Sequence, residues 1–133
     1  MQYLVALFMA LTLNAAANLL MKVGMKSVQE SGGILSNGVL AAVETVLRSK
    51  PLMIGLLCFA ANAVFYMYAL QSKALKISIA YPIMVGGGFA LIAVIARFHP
   101  ALAETLTWGQ MFGIGLVLVG IALIASPMGA GNA

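Results

Sequence analysis

Charge is what this sequence has least of. Of its 133 residues 8% are charged, seven Lys or Arg and three acids, against 63% hydrophobic. A soluble domain carries about a quarter charged residues to cover its surface, so one soluble globular domain is excluded. Cysteine is almost missing too. Cys58 is the single one and lies in an apolar run, which excludes a disulfide framework and a cysteine metal cluster. The single histidine, His99, makes no metal site by itself, and no zinc-ligand spacing, phosphate-binding loop or nucleotide fingerprint appears. Net charge is +4, which in a soluble protein would suggest nucleic acid. Here the basic residues stand at the ends of apolar stretches, where they meet phospholipid head groups. No nucleic-acid partner, metal or cofactor is expected.

What the chain has instead is long apolar runs. A spanning helix takes about 20 apolar residues, so four need about 80. The expected fold is an all-α membrane protein with four transmembrane helices in a single domain, residues 1–133, at about 3–21, 51–70, 77–96 and 107–125. Four helices are too few to enclose an aqueous path alone. For the first run a signal peptide is the rival, with Ala15-Ala16-Ala17 offering a small-residue cleavage site, but it needs a basic start that Met-Gln-Tyr does not supply. A retained span is expected. Pro51 suits the first turn of the second span, and Tyr66 and Tyr68 lie near its far end, where aromatic residues meet the membrane interface. Arg97 closes the third span, and from Thr105 to Ala133 there is no charge at all.

The connections are unequal. Residues 71–76, with Lys73 and Lys76, and residues 97–105, with Arg97, His99, Pro100 and Glu104, make tight turns. Residues 22–50 are longer, and within them Leu35, Val39, Val43 and Val46 recur at helical spacing while Ser36, Asn37, Glu44 and Arg48 break the apolar run. An interfacial amphipathic helix over about 34–48 is one reading. A helical extension of the second span is the other. Loops one and three carry five Lys and Arg (22, 26, 48, 50, 97) and the remaining connection two (73, 76), which leans towards cytoplasmic loops one and three with both termini outside.

Polar residues inside a bilayer are costly and therefore the first places to look for function. Asn14, Asn18 and Lys22 follow one another at four-residue intervals, stacked on one helix face along about 12 Å. Two amides and an ammonium there can hydrogen-bond a substrate's hydroxyl, carbonyl or phosphate oxygens. The bland alternative is that asparagines glue helices together while Lys22 snorkels to the interface. Asn62, midway along the second span, is open to the same two readings. Tyr81-Pro82 opens the third span and Gly86-Gly87-Gly88 stands at its middle, a combination that permits a bend or close helix contact. In the fourth span Gly109, Gly113 and Gly120 recur, with Gly115 alongside, a small-residue face suited to packing a second helix. No acid lies within any expected span, so nothing there carries a proton or holds a buried cation. No nucleophile–base pair can be assembled, and an enzyme is not expected.

Asn14-Ala-Ala-Ala-Asn18-Leu-Leu-Met-Lys22, Ile79-Ala80-Tyr81-Pro82 with Gly86 and Gly88, and Glu104-x-Leu106-Thr107 leading to Gly113-x-x-Leu116-x-x-x-Gly120 together resemble the drug/metabolite transporter superfamily. The likeness is to its small multidrug-resistance-like and EamA-like four-span members and covers most of the chain apart from the long first loop. It implies a multi-pass protein of the bacterial inner membrane that works as a dimer. In the proton-coupled exporters of that superfamily the position matching Asn14 carries an essential glutamate, and a key tryptophan appears here as Met84. Tyr81, the bend residues Gly86 and Gly88, and the packing pattern Gly113, Leu116, Gly120 are kept. The Ile-Ala-Tyr-Pro and Glu104 motifs look more like the small paired subunits that flip aminoarabinose-phosphoundecaprenol, which also lack the first-span acid. The resemblance thus implies translocation of a lipid-linked or amphiphilic sugar phosphate, as a homodimer or beside a similar four-span partner. The residue chemistry would place Asn14, Asn18 and Asn62 on the polar head, with Tyr81 and Met84 alongside, and Lys22 or Arg97 near the phosphate. A multidrug exporter of cationic compounds and a non-transporting accessory subunit are the alternatives.

Overall fold

A computed structural model of the chain describes residues 1–30, 32–33, 35–100, 102 and 104–129, and all regular structure among them is helical. Five helices follow in order: α1 (Gln2–Glu30), α2 (Val39–Arg48), α3 (Lys50–Ala69), α4 (Ile77–Phe98) and α5 (Trp108–Gly129). α1, α3, α4 and α5 are long and apolar enough to cross a membrane. The architecture is the all-α, four-span class that the composition implies.

α1 continues past the apolar run through Lys22 and Lys26 to Glu30. At 1.5 Å per residue a helix of 29 residues is about 44 Å long, more than the roughly 30 Å of hydrocarbon, so its last turns project beyond the apolar layer. It stops at paired glycines. Gly32 and Gly33 hold positive φ, and the Gly33 N–H donates to Val28 O at 3.1 Å, closing carbonyls the helix leaves open. α2 and α3 are separate helices, parted at Ser49, whose backbone is extended (φ −82°, ψ 112°) and whose N–H still bonds Thr45 O. α2 is therefore no straight continuation of α3. Position 34, where the expected interfacial helix begins, lies outside the described residues.

α1 and α3 pair antiparallel along their length. Near one end a Cβ at Gly24 would meet Leu52 Cγ at 2.6 Å, and one at Gly55 would lie 3.2 Å from Ala17 O and 3.1 Å from Met21 Cγ. At the other end the Tyr3 and Tyr68 rings lie 5.5 Å apart and the Tyr68 hydroxyl bonds Gln2 Oε1 at 3.2 Å. Between these points Ala10, Ala15 and Ala17 are buried. Small residues are what this contact requires: lipid is as apolar as leucine, so helices gain by close backbone approach rather than by escaping water. α4 runs in the same direction as α1, with Ala80 and Met84 in one core cluster with Ala6, Leu7, Ala10, Ala69 and Leu75. It is helical throughout, Pro82 and the glycines included.

α5 packs on α4. The Ile121 side chain occupies the space a Cβ on Gly86 would take. Beyond that crossing the two helices leave a groove of about 440 Å³ lined by Phe89, Ile92, Ala96, Ile114 and Val117, with Glu104 and Gln110 as its polar residues. No described residue of α5 is buried.

Candidate functional site

α1, α3 and α4 carry the polar residues of the apolar runs, some turned inward and some outward. Asn14 is half-buried on α1, and its Nδ2 lies 2.9 Å from where a Cβ on Gly88 would stand. Any side chain larger than hydrogen at position 88 would displace the amide. Gly88 thus seats Asn14 against α4 at mid-helix. Asn18 behaves differently: it is exposed, and its Nδ2 turns back to Asn14 O at 2.8 Å and Asn14 Oδ1 at 3.3 Å. The Asn14 amide oxygen is thereby oriented by its neighbour one turn on.

Asn62 is the buried polar residue of the described chain, 5% exposed, and its Oδ1 has no hydrogen-bond partner. One turn further along α3 the Tyr66 hydroxyl is likewise buried without a partner. Leaving such a group unpaired in an apolar setting costs about 1–3 kcal/mol, so two on one helix face call for a donor or acceptor to come to them. The Tyr66 ring meets the Tyr81 ring edge-on at 6.4 Å, while Met84 closes the core nearby at 7% exposure. Tyr81 itself is 54% exposed, so Asn62, Tyr66 and Tyr81 make a neutral polar patch along α3 and the start of α4, with Asn14 half-buried against Gly88 further along α4. Amides and phenols can hydrogen-bond hydroxyl, carbonyl and phosphate oxygens, and none of them is a carboxylate.

The other expected site residues fall outside the patch. Lys22 is exposed and reaches Glu104 Oε1 at 4.0 Å, tying the end of α1 to the segment before α5. Arg97 is exposed at the end of α4, on a second groove beside α5, of about 300 Å³, with Phe98, Met111 and Ile114. Pro82 and Gly86 sit within unbroken α4. Among the described residues a Cβ at Gly113 or Gly120 would meet nothing within 4 Å; Gly113 lines the groove between α4 and α5, and Leu116 is 57% exposed. Tyr66 is the residue that sequence reasoning missed. Near a span end an aromatic residue reads as an interface anchor, and only packing shows its hydroxyl turned inward. The four-residue spacing from Asn62 to Tyr66 was the available signal. Among the described residues no group of His, Cys, Asp or Glu is arranged to hold a metal.

No protein-family model matches the chain. It is 31% identical over 108 residues to the uncharacterized protein y4nH of Sinorhizobium fredii, an overlap of 81% of each chain. The chain belongs to the family of y4nH. That family membership brings no activity with it, because y4nH is itself uncharacterised. The chain is also 35% identical over 81 residues to the probable 4-amino-4-deoxy-L-arabinose-phosphoundecaprenol flippase subunit ArnF of Erwinia tasmaniensis. It spans 61% of that relative's length. No solved structure matches. With four apolar helices and a likeness to a small transporter-like family, the chain is a multi-pass membrane protein.

Proposed function

We propose that this chain is one four-span domain of a dimeric, flippase-like transporter, which moves a lipid-linked or amphiphilic sugar phosphate or a related metabolite across the bacterial inner membrane. The observation that carries the reading is the pair of buried, unpartnered polar atoms on α3, Asn62 Oδ1 and Tyr66 Oη. A sugar presents hydroxyl donors to such groups. The chain's three acids, Glu30, Glu44 and Glu104, all lie outside the apolar runs, so the patch has no carboxylate to exchange protons or neutralise a cationic drug. The name of the ArnF relative supports the same substrate class. Lys22 and Arg97 stand at the head-group level and attract the phosphate, while Pro82, Gly86 and Gly88 give α4 the freedom to bend as access alternates. Gly113, Leu116 and Gly120 form the face for a second four-span subunit, identical or similar, which supplies the walls that four helices lack. On this reading the protein catalyses no covalent chemistry.

The test is binding and translocation by the purified full chain. A polyprenyl-phosphate sugar should bind saturably in detergent, with Asn14→Ala and Asn62→Ala each weakening it about tenfold, the size of one lost hydrogen bond of about 1.4 kcal/mol. Proton-driven export of quaternary ammonium compounds from liposomes would overturn this in favour of a multidrug exporter. Absence of any saturable amphiphile binding, with stable co-purification of one larger membrane protein, would overturn it in favour of an accessory role.

A further inference from the structure

A second polar site lies away from the α1–α3–α4 patch and does not depend on any transport role. Where the projecting end of α1 passes the corner between α2 and α3, a cleft of about 580 Å³ is lined by Ser27, Val28, Thr45, Arg48, Ser49, Lys50 and Pro51. Two of these seven side chains are cationic and none is acidic. Glu44 stands just outside and binds the Arg48 guanidinium at 2.8 Å, so the local balance of Arg48, Lys50 and Glu44 is one positive charge. The two flanking hydroxyls are turned to acceptance, since Thr45 Oγ1 donates to Ala41 O and Ser27 Oγ to Gly24 O. The cleft's donors are therefore its two cations and Ser49.

Beside the cleft α2 presents its apolar side outward. Val39, Leu40, Val43 and Leu47 are 52–88% exposed and share one face of the helix, while Glu44, Thr45 and Arg48 share the other. A helix so divided rests in the plane of a bilayer surface with its apolar face among the acyl chains. That posture brings the Arg48–Lys50 corner to the level of the lipid phosphates.

We propose that this corner is a binding site for the phosphate of an anionic membrane phospholipid, one such lipid held between α1, α2 and α3. A phosphodiester with one net negative charge matches the cleft's single net positive charge. The quaternary ammonium of a zwitterionic lipid would find no acid among the lining residues. Val28 and Pro51 give the glycerol region an apolar wall. The bound lipid would clamp α2 to the α1–α3 pair, to which it is otherwise joined through Ser49 and modest packing on α3.

Native mass spectrometry of the full chain exchanged into phosphatidylglycerol and phosphatidylcholine tests this. Phosphatidylglycerol should be retained at one tight site, at least tenfold over phosphatidylcholine. Arg48→Gln with Lys50→Gln should abolish the preference, while Lys73→Gln with Lys76→Gln, at the opposite membrane face, should keep it. Equal retention of the two lipids by the unaltered protein overturns the proposal without any variant. Full preference in the Arg48→Gln, Lys50→Gln protein overturns it as well. Millimolar inorganic phosphate should not displace the lipid. Displacement by phosphate would mark a site for free phosphate and overturn the assignment to a lipid.

Discussion

α1 and α5 are similar in make-up and opposite in fate. Both are apolar enough to span a bilayer, yet 28% of the apolar window of α1 is buried and none of that of α5. The difference is what stands opposite each small residue. Gly24 and Gly55 lie between α1 and α3 with Leu52 and Ala17 against them, while Gly109, Gly113, Gly115 and Gly120 on α5 face open space. In a lipid environment a small residue stabilises a helix only when a partner backbone comes close to it. The α1–α3–α4 side is thus a finished interior, and α5 an unfinished one.

That contrast can be broken experimentally, and the largest effect is expected in the finished half. Gly55→Leu sets a branched side chain against Ala17 O and Met21, so thermal melting in detergent should report a loss of about 1–3 kcal/mol or outright misfolding. A melt equal to that of the unaltered chain would mean that α1 and α3 are not packed backbone to backbone. Next comes Asn62→Leu. Removing a buried acceptor that has no partner should raise stability by about 1 kcal/mol while abolishing binding of a polar amphiphile. A fall in stability would show Asn62 to be structural glue. Smaller again is the Lys22–Glu104 pair. With both side chains about half-exposed and 4.0 Å apart, Lys22→Met or Glu104→Gln should cost less than about 0.5 kcal/mol, and less still in high salt. The smallest effect on the folded monomer belongs to Gly120→Leu, expected within about 0.5 kcal/mol because among the described residues nothing lies within 4 Å of a Cβ there. The same variant should nevertheless abolish cysteine-free chemical cross-linking between subunits. Unchanged cross-linking would move the subunit contact off this face.

Much of the fold is legible in the residues, because a bilayer imposes length and apolarity so strictly that four runs and their intervening charges identify four spanning helices. The site is legible only in part. Asn14 and Asn62 stand out as amides in apolar runs; Asn62 is buried and Asn14 half-buried against Gly88 of α4. Asn18 and Lys22 share a helix face with Asn14 in projection, but a face is wider than a contact, and these two end up exposed. Tyr66 differs from Tyr68 in the sequence only by its four-residue spacing from Asn62. One hydroxyl turns inward without a partner and the other reaches Gln2 near the helix end.

The sequence by itself determined the membrane setting, the number of spanning helices and the lack of acids in their apolar runs, because these depend on totals and runs that no packing alters. The tertiary structure decided which polar atoms are left wanting a partner, that α2 breaks from α3 at Ser49, and that α5 keeps its glycine face open. Those outcomes depend on which residues stand opposite one another across helices. Apolar side chains of similar hydrophobicity do not encode that choice one by one. It follows from where the small residues of two helices meet.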